Sequence, residues 1–257
     1  TLNGYSDSID DLLIEIIDNM NSIDIPTEQF NAMRDQVIRN WKNVDLGDAY
    51  RIAREKMRKI VRRHYFTNTE YAETAENLSF NDIRGFSVKL LKKGYIEGLV
   101  YGNVTEAQAQ ENTKLLINKL KIKAINKNKT VQQGRIIFNP GEEISSIVKS
   151  QVNNSCLWRV QYFGQNRIEE DAQARVIGNY VGSPFYLEMR TNQQLGYIVW
   201  GGANSFENSS YFYFIIQSGN HPAEYLADQA ERFITTLPDS LNDLSVEEFQ
   251  VIKNGVI

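Results

Sequence analysis

The chain has 257 residues, 42% hydrophobic and 23% charged, enough to bury a sizeable core in one large domain or two smaller ones. Its 28 basic and 32 acidic residues leave a net charge of -4, so no basic field favours nucleic acid and no acidic tail is present. No apolar run approaches the roughly 20 residues needed to cross a bilayer, and Thr1-Leu2-Asn3-Gly4 is not a signal peptide.

The first 120 residues are predicted to be mainly helical. Ile9, Leu12, Leu13, Ile16, Ile17 and Met20 recur at helical spacing behind a possible N-cap, Ser6. Pro26 opens a second helix with Phe30, Met33, Val37 and Trp41 on one face. A third carries Ala49, Ile52, Ala53, Met57 and Ile60. Its basic residues, among them Arg51, Arg54, Arg58 and Arg62, read as a solvated face in preference to an anion site. Ser79 with Asp82, and Thr105 with Gln108, have the spacing of capping boxes, each opening a further helix. Between these two, 95–101 reads as a strand. The turn at Gly102 carries one Gly and no following Lys, so it is not a phosphate loop.

Residues 121–134 are polar and lysine-rich, and 123–134 is the expected linker. Beyond it the period changes, and 135–138, 146–152 and 157–163 read as short antiparallel strands. A helix is expected over 168–180, and Pro184 is expected to start a short one leading to Arg190. Residues 197–200 and 211–217 follow as strands, joined by a Gly/Asn/Ser-rich loop, and His221-Pro222 introduces a last long helix. Lone Cys156 has no internal disulfide partner and reads as a small buried hydrophobe on a strand. In the run Tyr211-Phe212-Tyr213-Phe214, alternate rings point to opposite faces, so one face is expected to be core.

An internal repeat is also visible. Ser245-Val246-Glu247-Glu248-Phe249 matches Pro26-Thr27-Glu28-Gln29-Phe30, and the match extends to Val256-Ile257 against Val37-Ile38. The offset is constant, since 249 minus 30, 256 minus 37 and 257 minus 38 are each 219. If real, this implies similar domains of that length, with the later half of one spanning 1–122 and the earlier half of the next spanning 135–257. Because Thr1 stands where an initiator Met would, the chain is expected to be a piece of a longer protein.

Residues 190–197, Arg190-Thr191-Asn192-Gln193-Gln194-Leu195-Gly196-Tyr197, place a guanidinium fork and a phenol seven residues apart where a helix gives way to a strand. With Ser183-Pro184-Phe185-Tyr186-Leu187-Glu188-Met189 before them and Ile198-Val199-Trp200-Gly201-Gly202 after, they resemble the pitrilysin/insulysin (insulinase) family of zinc metallopeptidases, in its non-catalytic C-terminal half. Phe214-Ile215-Ile216-Gln217-Ser218 supports the resemblance, which runs from about Gly4 to the end. It implies an α+β fold, an antiparallel sheet with packed helices in two-layer pitrilysin/processing-peptidase-type domain halves, drawn from the third and fourth homologous domains. It also implies a peptide substrate enclosed in a chamber, and a partner in the N-terminal catalytic half of the same polypeptide.

The family's catalysis needs His-x-x-Glu-His with zinc. This chain has two histidines. His64 is followed by Tyr65-Phe66-Thr67-Asn68 and reads as a surface or helix-end residue; His221 is followed by Pro222-Ala223-Glu224-Tyr225 and reads as a turn residue. No metal ligands and no cofactor are therefore expected here, zinc being implied for the missing N-terminal half, and this fragment alone is expected to be inactive. Spacing alone favours Arg190 paired with a carboxylate and Tyr197 packed with its hydroxyl satisfied. The resemblance instead implies that Arg190, Gly196 and Tyr197 contact substrate, Arg190 and Tyr197 assisting at the developing oxyanion. The other reading is a piece of a zinc-free, peptidase-like binding or assembly subunit. Compartment stays open, since the family includes periplasmic, cytosolic and organellar members.

Overall fold

The computed structural model describes residues 2–5, 8–21, 24–165, 168–205 and 209–256. The expected cap at Ser6 and the last repeat residue, Ile257, lie outside them. The chain divides into two compact units, Thr1–Arg39 with Ala72–Gln132, and Asn40–Tyr71 with Gln133–Ile257. This grouping is by contact and differs from the expected division at 123–134, which is drawn from the repeat and the resemblance.

The first unit is helical. Helix α1 (Ile9–Asn21) buries Ile17 and packs against α6 (Glu106–Leu120). Lys119 Nζ pairs with Asp18 at 2.8 Å, and Asn112 Nδ2 donates to Asp10 at 2.7 Å along the same seam. Most of α2 (Thr27–Lys42) and the end of α4 (Asn68–Glu76) belong here, with α5 (Phe80–Leu90). Both expected capping boxes form, Ser79 with Asp82 and Thr105 with Gln108, each satisfying otherwise orphaned N–H groups of the first turn. The apolar positions of α2 and α5 are only partly covered: Phe30, Trp41 and Ile83 are half-buried, Met33, Val37, Phe86, Val88 and Leu90 are exposed, and Ile38 is the buried residue of α2. Strands β2 (Lys93–Gly94) and β3 (Lys123–Ala124) pair in parallel over two residues. The expected strand at 95–101 is irregular, with Leu99 and Tyr101 almost fully exposed; an alternating pattern without a ladder partner leaves its backbone to water.

The second unit holds an antiparallel sheet in the order β5 (Ser155–Gln165), β7 (Ser209–Ser218), β6 (Ile198–Ser205). Leu157 lies opposite Ile216, and Val199 opposite Ile216 on the other side, so the centre of one face is apolar, with Arg159 opposite Phe214 on that same face. Helices α7 (Ile168–Tyr186) and α8 (Ala223–Asn242) cover that face, burying Val181, Phe185, Val199, Phe214, Ile216 and Leu226. Side chains alternate across a strand, so Trp200 and Gln217 face the other way, where α3 (Ala49–Val61) packs. There the Tyr50 amide donates to Gln217 Oε1 at 2.9 Å, and the Tyr50 and Trp200 rings meet edge-on at 5.1 Å. This α+β class, an antiparallel sheet with packed helices, is what the sequence implied. Phe212 and Phe214 supply the core face of the aromatic run, as expected.

Several local expectations are corrected. Pro184 does not start a helix but lies within α7, which runs unbroken from Ile168 to Tyr186. Packing overrides its local cost, because α7 sits hard against β6: a Cβ on Gly178 would come within 2.5 Å of Ala203. The expected loop after Trp200 is largely strand. Of 135–138 only Arg135 is in a strand, β4 (Gly134–Arg135), which pairs antiparallel with β1 (Arg62–Arg63), and 146–152 is irregular. The repeat segments both open helices, α2 at Thr27 and α9 (Val246–Asn254) at Val246, the latter under a Ser245–Glu248 capping box.

Candidate functional site

Beyond Tyr186 the helix widens into a π turn, Leu187–Asn192, in which the Gln193 amide reaches back to the Glu188 carbonyl at 3.0 Å. Met189 and Leu195 are buried and anchor the two ends of the turn, and the Leu195 amide donates to the Met189 carbonyl at 2.9 Å. Gln194 pays for the tight return with φ of 53°, a left-handed conformation uncommon outside Gly and Asn.

That return brings Arg190 and Tyr197 together. Arg190 Nη1 donates to the Gly196 carbonyl at 2.7 Å, and its Cζ lies 4.6 Å from the centre of the Tyr197 ring. Among the described residues the remaining guanidinium N–H groups take no partner, and neither does the Tyr197 hydroxyl. Tyr197 is 82% exposed. Gly196 permits a close approach within the chain itself: a Cβ there would lie 1.9 Å from the Gln217 carbonyl oxygen of β7.

The carboxylate nearest in sequence, Glu188, is otherwise engaged. It accepts from Gln193 Nε2 at 2.9 Å and Asn192 Nδ2 at 2.7 Å, and these hydrogen bonds, Gln193 first, hold its carboxyl below the usual glutamate range. Arg190 therefore makes no carboxylate pair among the described residues, and its fork stays open to an outside acceptor. Sequence reasoning missed Glu188, Asn192 and Gln193, whose meeting depends on the π turn. It also missed an open, mainly apolar groove of about 590 Å³ beside them, lined by Gly182, Ser183, Pro184, Tyr186, Leu187 and Thr191.

Other reactive groups stand apart from this place. His64 is exposed with φ of 59° after β1, and His221 lies in a turn with its ring 5.0 Å from that of Tyr225. Among the described residues no three His, Cys, Asp or Glu side chains converge as a metal site. Burial pushes the Cys156 thiol up to about 12, which keeps it protonated and unreactive.

Two family models match. Residues 1–74 match the middle or third domain of peptidase M16, and 176–257 match C-terminal lobe domain 4 of the PQQ synthase PqqF-like group. The human insulin-degrading enzyme is 25% identical over 255 residues, covering 97% of this chain and 25% of that protein. Protease 3 of Salmonella typhimurium is 24% identical over 258 residues, covering 100% of this chain and 26% of that protein. A crystal structure of pitrilysin superposes with a TM-score of 0.78 at 20% identity, over 98% of this chain and 27% of the other. The chain thus spans about a quarter of the length of the curated relatives it matches.

Proposed function

We propose, for a chain that belongs to the insulinase/pitrilysin family of peptidases and corresponds to part of its C-terminal portion, that Arg190 and Tyr197 hold a peptide substrate and stabilise the charge that develops on its scissile carbonyl. One observation carries this reading: the Arg190 guanidinium is held between the Gly196 carbonyl and the Tyr197 ring, with its other donors and the Tyr197 hydroxyl uncommitted.

Such donors lower a barrier only if they bind the transition state better than the ground state. A carbonyl under attack gains negative charge, and preorganised donors stabilise that charge without reorganising. Arg190 meets the condition because its planar fork is already oriented, so little rotamer freedom remains to be lost. Tyr197 meets it because its stiff ring is braced by the guanidinium. Gly196, through its carbonyl and its close contact with β7, keeps both in register, and we assign it a place beside the bound peptide.

In this family zinc activates the attacking water and polarises the carbonyl. The described residues do not fit that ion: His64 and His221 sit on separate turns, and among the described residues no carboxylates converge on either. The proposal therefore places zinc in the N-terminal part of the longer protein and routes no step through this chain's histidines. The peptide is the partner substrate, enclosed between the two parts.

The test is turnover of a fluorogenic peptide by the intact protein. Arg190→Ala and Tyr197→Phe are each expected to lower kcat by about 100- to 1,000-fold, the cost of losing one oxyanion donor. Normal turnover in both variants would overturn the assignment. Absence of any chelator-sensitive turnover in the unaltered protein would instead favour the zinc-free binding or assembly subunit.

A further inference from the structure

The π turn that carries Arg190 is closed twice between the same two residues. The Gln193 amide donates to the Glu188 carbonyl at 3.0 Å, and Gln193 Nε2 donates to Glu188 Oε1 at 2.9 Å. The other carboxylate oxygen, Oε2, accepts from Asn192 Nδ2 at 2.7 Å. In an α-helix a side chain faces those three and four positions on, and the fifth is turned well away. The wider π turn stacks the fifth residue over the first, so the Glu188–Gln193 pair belongs to this backbone and is lost in the α form.

The turn is held against a local cost. Gln194 has φ of 53°, a conformation that persists in a non-glycine residue only where its surroundings over-determine it. Buried Met189 and Leu195 fix part of the turn, but Leu187, Thr191, Asn192 and Gln194 are exposed, so packing alone does not hold the stretch around Arg190. Among the described residues the side-chain hydrogen bonds that span it are the two to Glu188 and that of Arg190 to the Gly196 carbonyl. Glu188 is also the carboxylate best placed in sequence to compete for Arg190, since a carboxylate free to turn takes a guanidinium fork in two parallel bonds. Here each of its oxygens already takes an amide N–H, and the guanidinium is left to the Gly196 carbonyl and the Tyr197 ring.

We propose that Glu188, clamped by Asn192 and Gln193, is a positioning residue: it locks the π turn and so aims the Arg190 guanidinium at the substrate carbonyl without touching the substrate itself. The role rests on Arg190 and Tyr197 acting as substrate donors. The clamp supplies no donor of its own, so its whole effect on turnover passes through Arg190.

A double-mutant cycle on turnover of a fluorogenic peptide by the intact protein tests it. Glu188→Gln keeps the shape of the side chain but turns one acceptor into a donor facing an amide N–H, and Gln193→Leu removes the donor across the turn. Each is expected to lower kcat by about ten-fold with KM nearly unchanged, and to cause no further loss in an Arg190→Ala background. Hydrogen exchange reads the clamp apart from activity: the Gln193 and Leu195 amides, which close the turn, should exchange faster in both variants, while the amides of β7 keep the parent's rates and mark a native fold. Asn192→Ala, at an exposed position, should show the same pattern with a smaller loss, and decides by the same criteria if the other two lose the native β7 rates. Normal turnover in the natively folded variants overturns the positioning role. An equal fold-loss in the parent and Arg190→Ala backgrounds overturns it too, since the effect would then bypass Arg190. Normal turnover in Arg190→Ala alone is the separate result that removes the donor reading on which this role rests.

Discussion

Gly196 and Arg190 lie six residues apart and fail in different ways when changed. A Cβ at 196 would sit 1.9 Å from a backbone oxygen of β7, the central strand, held by β5 and β6 on its two sides, so little there can give way. We expect Gly196→Ala to cost roughly 1 to 3 kcal/mol of stability, as overpacking does, and to lower turnover by displacing the carbonyl that fixes Arg190. Arg190→Ala removes a half-buried side chain with one backbone hydrogen bond, so its urea midpoint should stay near that of the parent while turnover falls. Equal midpoints for both variants would show that the approach at Gly196 is relaxed. Tyr197→Phe separates the same effects differently: the ring remains under the guanidinium, and only the hydroxyl is lost. Spacing alone favours a carboxylate pair for Arg190 and a packed Tyr197; their substrate role comes only from the family resemblance and stands as a proposal. The engagement of Glu188, which frees Arg190, was not legible in the sequence, because a π turn carries no sequence period.

Among the elements, the junction of α3 and α4 rests on Glu70. Its carboxylate accepts from Lys59 Nζ at 2.8 Å and from the Thr67 amide at 2.7 Å, and these bonds, Lys59 first, hold it down at about 2. A carboxyl depressed in the folded state contributes stability above its unfolded value, near 4.3. That contribution is lost as pH falls toward about 2. Denaturant midpoints of the parent should therefore exceed those of Glu70→Gln above about pH 5 and converge with them as pH drops toward 2; a gap that is constant with pH would refute the linkage. At α6, Thr105→Ala should cost about 1 kcal/mol, the usual value of an N-cap, measured the same way. Capping boxes were readable at Ser79 and Thr105 because their chemistry spans four consecutive residues. Helix α4 was missed because its buried residues, Ala72 and Ala75, are too small to mark an apolar face. The strands expected at 95–101 and 146–152 failed for the opposite reason: their composition suits a sheet, but pairing is decided by a distant partner, and none of the described residues supplies one.

For the whole molecule, the chain covers about a quarter of its relatives, and this governs what its residues can do together. An oxyanion donor contributes only where a nucleophile is delivered to the same carbonyl, and on the proposed reading that nucleophile needs zinc ligands that His64 and His221 do not assemble. The 257-residue chain should therefore release no fluorophore from a peptide substrate, with zinc added or with chelator. The intact protein should release it only when zinc is present. If the chain retains the Arg190–Tyr197 arrangement when isolated, it should still quench or shift the emission of a labelled peptide on binding, and Arg190→Ala should weaken that binding without changing the null rate. Zinc-dependent cleavage by the isolated chain would overturn the division of labour proposed for the two parts, since it would require a metal site built from residues that the fold keeps apart.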